Sequence, residues 1–108
     1  MIAVSLTVRS AESALWLDLV RHRLRRFDPV RVDATESIAS IPGIGTILID
    51  DRPARLVLGA VAADHRGAEN IRAALLHEIA AAVPESTAHS RLTLEWTYPD
   101  IVPVRLRG

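Results

Sequence analysis

Cysteine is absent from this 108-residue chain. That excludes disulfides, thiolate catalysis and cysteine-ligated metal in one step, and it fits a reducing cytoplasm. Lysine is absent as well. All thirteen basic residues are arginine, and thirteen acidic residues balance them. Bulk charge therefore selects neither nucleic acid nor an anionic membrane as partner. With abundant Ala, Val and Leu, the arginine bias suggests a high-GC bacterial genome. Aromatic residues make up only 4%, and none interleaves with the arginines to stack bases. No run of about 18 apolar residues exists, which argues against a membrane span. The start, Met1 to Val8, alternates like a strand and lacks the basic leader of a signal peptide.

Chemical motifs are scarce too. No Gly-x-Ser-x-Gly elbow occurs. Gly43-Ile44-Gly45 leads into a strand, whereas phosphate cradles lead into a helix. The imidazoles His22, His65, His77 and His89 include no i, i+4 pair of the kind that binds metal on a helix. The expectation is no cofactor, no metal and no catalytic set, with enzymatic activity unassigned and leaning against.

What is present is an ordinary globular composition, 49% hydrophobic and 24% charged. The length suits one domain over residues 1–108, able to bury roughly two-thirds of its unfolded surface. Ile2, Val4, Leu6 and Val8 alternate with polar or small residues and predict a strand. Ser10 is placed to cap a helix that runs to Arg26 or Phe27. Trp16, Leu17, Val20, Leu24 and Phe27 share one arc of it, and Asp28-Pro29 ends it. Strands are expected at Val30–Ala34, around Pro42-Gly43 as one bulged strand or two, and at Ala54–Ala63. Asp64 caps a second helix, regular from Gly67 to Val83, with Ala68, Ile71, Leu75, Ile79 and Ala82 in its stripe. Leu92, Leu94, Trp96 and Tyr98 mark a last strand. The tail from Asp100 is either an edge strand or flexible.

The order β-α-β-β-β-α-β predicts an α+β two-layer sandwich, with both helices on one face of a mostly antiparallel sheet. Leu6, Leu17, Leu58, Leu75 and Trp96 should line the buried side. Ser5, Thr7, Arg31, Asp33, Thr93, Glu95 and Thr97 should lie on the open face.

The segment Leu56-Val57-Leu58, Ala60 and Ala62-Ala63-Asp64, the His77 helix and Leu92-Thr93-Leu94-Glu95-Trp96 follow one another in a telling order. With Ile41-Pro42-Gly43-Ile44-Gly45 before the third strand and Arg21-His22-Arg23 in the first helix, this order resembles the small bacterial family called domain of unknown function 2218. The resemblance covers about Arg9 to Tyr98. It implies the fold above and transfers no catalytic residue, because that family carries no agreed activity.

Three readings of function follow. The leading one is a cytoplasmic binding or interaction module without catalysis, forming a homodimer. Leu15 and Leu19, at i, i+4, fall outside the main apolar arc beside Arg23, and a second copy or the C-terminal tail should cover them. The second is an enzyme or enzyme subunit with a polar pocket around His22 or His77. The third is a small-ligand carrier using the open sheet face, lined by Thr7, Thr93, Glu95 and Thr97. Arg21, Arg23, Arg25 and Arg26 cluster near the end of the first helix, where cations complement the helix dipole. Of these only Arg21 and Arg25 share a direction. His22 can pair with Asp18 one turn away.

Overall fold

Alternation of apolar and polar residues makes β1, Ile2–Ser10. Val4, Leu6 and Val8 are buried on one of its sides. The computed structural model describes residues 1–10, 14–83, 92–100 and 102–106. The expected capping turn after Ser10 therefore lies outside the described residues. Helix α1, Ala14–Leu24, continues as a 3-10 turn over Arg25–Phe27. Asp28 adopts a left-handed conformation (φ 50°) before Pro29 and stops it.

Four strands follow, one more than the expected order. β2 is short, Val30–Arg31, β3 is Glu36–Ile41, β4 is Gly45–Asp51 and β5 is Arg55–Ala62. The open question at Pro42-Gly43 resolves as two strands joined by a hairpin. Pro42 and Gly43 occupy the central positions of a turn closed by the Ile44 N–H donating to the Ile41 carbonyl at 3.0 Å. Gly43 has φ +85°, which suits the third position of a type II turn and strains any residue with a Cβ. Asp33 leaves the expected strand for the turn between β2 and β3. Its carboxylate accepts from the N–H groups of Thr35 and Glu36 at 2.9 and 2.8 Å, so an Asx turn replaces ladder pairing.

Helix α2, His65–Ala82, starts at the expected cap, where the Asp64 carboxylate accepts from the Gly67 N–H at 2.8 Å. Strand β6, Leu92–Thr97, pairs back onto β1. The sheet order is β2-β3-β4-β5-β1-β6, antiparallel throughout. Both helices cover one face of it, the α+β architecture expected.

Register assigns every residue a side, since the strand period is two. One row across the helix side reads Arg31, Ser37, Ile49, Leu58, Leu6 and Trp96. Its centre is apolar and packs beneath Leu17, Val20 and Leu24 of α1 and Ile71, Leu75 and Ile79 of α2. Complete burial of side chains such as Leu6, Leu58 and Leu75 stabilises by roughly 1.5–3 kcal/mol each. At the β6 end, Trp96 is half-buried and the Arg72 guanidinium lies 5.1 Å from its ring. At the β2 end the row turns polar. The expectation that Arg31 belongs to the open face is thus corrected, because its pairing partner Ser37 stands in the helix-side row.

The open face is not bare. Ala3 and Leu48 point away from both helices yet are only 4% and 9% exposed. The chain beyond β6 covers them. It crosses the open side of the sheet and forms a 3-10 turn, Val104–Leu106, beside β4. It passes over Gly59, where even a Cβ would meet Leu106 Cδ1 at 3.8 Å and the Val4 carbonyl at 3.9 Å, ordinary contact distances. In its described part the tail is therefore neither an edge strand nor a loose end. It is a strap.

Candidate functional site

Two cavities lie on opposite sides of the sheet. The first is under the strap, with a volume of about 210 Å³. Ala3, Ser5, Leu48, Val57 and Gly59 make its floor, and Pro99 and Pro103 its roof. Glu36 and Asp50, cross-strand partners, stand at one end. Walls of small apolar side chains with carboxylates at one end suit a compact apolar molecule carrying a positive or donating group.

The strap is tied down beside that end. Arg105 places Nη2 3.3 Å from Asp33 Oδ2 and Nε 3.6 Å from Glu36 Oε1. Asp33 and Glu36 titrate together. The hydrogen bond with Glu36, then those from the Thr35 and Glu36 amides, hold the Asp33 carboxyl well below the usual carboxylate range. The same hydrogen bond with Asp33, then partial burial and the Asp33 charge, push Glu36 above its ordinary value. Asp50 is itself held by Arg52 at 3.1 Å. Both Glu36 and Asp50 keep acceptor positions beyond these contacts, since an ionised carboxylate offers about four.

The second cavity, about 250 Å³, lies on the helix side, where α1 ends before reaching β2. Leu24, Ile49 and Leu56 form its floor, and Arg25, Arg31 and Ser37 stand around it. Arg21 makes a further wall but is engaged. Its guanidinium donates to Asp51 at 2.7 Å, to Asp18 at 2.6 Å and to the Arg52 carbonyl at 2.6 Å. Burial works against its charge, yet the hydrogen bonds to Asp18 and Asp51 outweigh it and raise its pKa above the usual arginine value. The arginine cluster of the first helix thus sorts by direction. Arg21 and Arg25 turn to this cleft, Arg23 to α2, and Arg26 sits over the Phe27 ring at 5.4 Å.

The residues singled out from sequence do not converge. Leu19 packs against the core, and Arg23, one turn on, donates to Glu78 of α2 at 2.7 Å. Positions 19 and 23 share a helix face, so this stripe is largely the seam between α1 and α2. Leu15, at its outer end, is 57% exposed. The strap does not reach it, being on the other side of the sheet. His22 and His77 are exposed and line none of the three cavities described. Asp18, the expected partner of His22, pairs with Arg21 instead. His65 does line a cavity, one of about 270 Å³ with Ile2, Ala68, Glu69 and Tyr98. His89 lies outside the described residues. Thr7, Thr93, Glu95 and Thr97 are on the open face toward β6 and do not line the strapped cavity, though Thr7 and Thr97 pair with Val57 and Ser5 of its floor; Glu95 pairs with Arg9 at 3.1 Å. Among the described residues, no group of three or more His, Asp or Glu could hold a metal ion, and no helix is long and apolar enough to cross a membrane.

Sequence reasoning missed both cavities. Pro99 and Pro103 were the available signal for the first, since proline removes the donors that an edge strand needs. Arg31 beside β3 was the signal for the second, but only register reveals its side.

No family model matches this chain, and no curated protein matches it. Among solved structures, the NMR structure of PA4090 from Pseudomonas aeruginosa is similar in fold. It is 12% identical, with a TM-score of 0.51 over 90% of this chain and 96% of that one. At that identity the likeness establishes the fold alone.

Proposed function

We propose that this protein is a small-ligand-binding module without catalysis, and that its site is the cavity between the open sheet face and the strap. One observation carries the reading: Ala3 and Leu48 are buried on the side away from the helices, around a cavity of about 210 Å³ that the side chains leave unfilled. The ligand class that fits is a compact apolar amine. Its body would lie on Leu48, Val57 and Gly59, and its ammonium beside Glu36 and Asp50. The residues that motivated a His-centred enzyme stand outside these cavities, so the geometry favours binding over that alternative. The resemblance to domain of unknown function 2218, a bacterial source and a cytoplasmic location belong to the same reading. Motif order supports the first, arginine bias the second and the lack of cysteine the third.

Amide NMR titration with benzylamine tests the site. Saturable shifts should cluster at Ala3, Ser5, Leu48, Val57 and Gly59, and Gly59→Leu should weaken binding at least tenfold by plugging the floor. Shifts scattered elsewhere, or unchanged affinity in Gly59→Leu, would contradict it.

A homodimer through α1 is the second reading, favoured by the exposure of Leu15. Sedimentation at low micromolar concentration should then show a dimer that Leu15→Glu splits. A monomer unaffected by the change would end that reading.

A further inference from the structure

We infer that the cleft at the end of α1 is a second, independent site, for a small organic acid with an apolar body. Three features of the molecule converge on this.

The first is register. Arg31 and Ser37 occupy the β2 and β3 positions of a row that is otherwise the hydrophobic core: Ile49, Leu58 and Leu6 continue it. A polar pair at the end of a core row, under a helix that stops short, leaves a hollow of about 250 Å³. That is below the roughly 300–1,000 Å³ of sites for drug-sized ligands and suits a molecule of benzoate size.

The second is charge. Arg21, Arg25 and Arg31 face Asp51 as the one carboxylate lining the cleft. Arg21 is consumed by Asp51, Asp18 and a backbone carbonyl. Arg31 gives one N–H to the Ala34 carbonyl at 2.8 Å and keeps others, because a guanidinium carries five. Arg25 and Arg31 therefore bring positive charge to the cleft that its own carboxylate does not neutralise. An arginine fork matches a carboxylate in plane and spacing, and the Ser37 hydroxyl adds a donor.

The third is the lining. Leu24, Ile49 and Leu56 stand beneath the hollow but are themselves almost wholly buried, so its accessible apolar surface is left to the half-buried Pro29 ring and the hydrocarbon stems of Arg25 and Arg31. A bare oxyanion would leave that ring and those stems wet. An acid with a hydrocarbon or aromatic body covers them while its carboxylate meets Arg25 and Arg31. The Arg21 network is a positioning element: it ties α1 to the end of β4 and the turn after it and so fixes one wall.

Amide NMR titration of the full chain with sodium benzoate, and separately with inorganic phosphate, tests the assignment at constant ionic strength. Benzoate should give saturable shifts at Arg31, Ser37, Ile49 and Asp51, and bind at least fivefold more tightly than phosphate. The double variant Arg25→Ala/Arg31→Ala should lose tenfold or more in benzoate affinity. Ser37→Ala should lose a smaller factor, and its fold is checked by its unchanged amide spectrum elsewhere. Phosphate binding as tightly as benzoate would overturn the organic-acid assignment. Benzoate shifts that do not saturate, or that survive the double variant, would overturn the site. Neither outcome depends on whether benzylamine occupies the strapped cavity.

Discussion

The two sides of the sheet are closed by different means, and the cavities follow from that difference. On the helix side, two amphipathic helices seal an apolar core, and a charged hollow remains where α1 ends ahead of β2. On the other side, a strap narrower than a helix crosses β4 and β5, and space remains beneath it. The helix-side hollow inherits the arginines of a helix C-terminus. The strapped one inherits the carboxylates of β3 and β4, Glu36 and Asp50. A balanced net charge at the level of composition thus conceals two cavities with linings of opposite sign.

The comparison predicts unequal costs for trimming the two sides. Leu58→Ala should destabilise by about 2–5 kcal/mol in urea unfolding, as expected for a cavity in a sealed core. Leu48→Ala, on the opposite face and next in sequence to Ile49, the cross-strand partner of Leu58, should fall at or below the lower end of that range, about 2 kcal/mol or less, because the strap can settle onto the vacancy. Equal costs would mean the strap packs like a second core layer.

Next in size is the helix seam. Glu78 is 12% exposed on its side chain and pairs with Arg23 across α1 and α2. Glu78→Ala should cost about 1 kcal/mol, between the values for surface and buried pairs, with no change in sedimentation. A change in association state would return Arg23 to an intermolecular contact.

Much of this architecture was legible from periodicity. Val4, Leu6 and Val8, the α2 stripe through Ile71, Leu75 and Ile79, and the Asp64 cap all stand where their spacing places them, because a local pattern determines each. Three features were not local. Arg31 has the same alternation whichever face it takes, and only pairing with Ser37 decides. Leu19 looked orphaned because the α1–α2 seam depends on how two helices cross. The tail alternates Val102, Val104 and Leu106 like a strand, but Pro99 and Pro103 remove donors that a strand needs, and the free surface over Gly59 takes it as a strap instead. The candidate site was legible only as the open face. The cavity lies over β1, β4 and β5 rather than over the threonines of β6.

The smallest effect concerns the tie beside the strap. The Asp33–Glu36 pair is most stabilising when Asp33 is ionised and Glu36 still holds its proton. Asp33, with its pKa depressed, loses its contribution as pH falls through its folded value. Glu36, with its pKa raised, loses its contribution as pH rises through its own. The stability difference between the native chain and Asp33→Asn should therefore peak in mildly acid solution, about pH 4–5, and shrink on both sides. Thermal melts across that range check it; a difference that does not vary with pH would assign Asp33 to the Asx turn alone. Arg105→Ala should speed amide exchange at Leu106, whose N–H closes the strap's turn onto the Pro103 carbonyl, and leave exchange in α1 unchanged.

The central claim is that one sheet separates two sites of opposite charge preference. Benzylamine and benzoate share a ring and differ in the sign of their charge, so adding both to one amide NMR sample tests it most directly. The account predicts simultaneous occupancy: benzylamine shifts at Leu48 and Gly59, benzoate shifts at Arg31 and Ser37, and neither probe weakening the other by more than about twofold. Both probes moving the same residues, or one displacing the other, would contradict it.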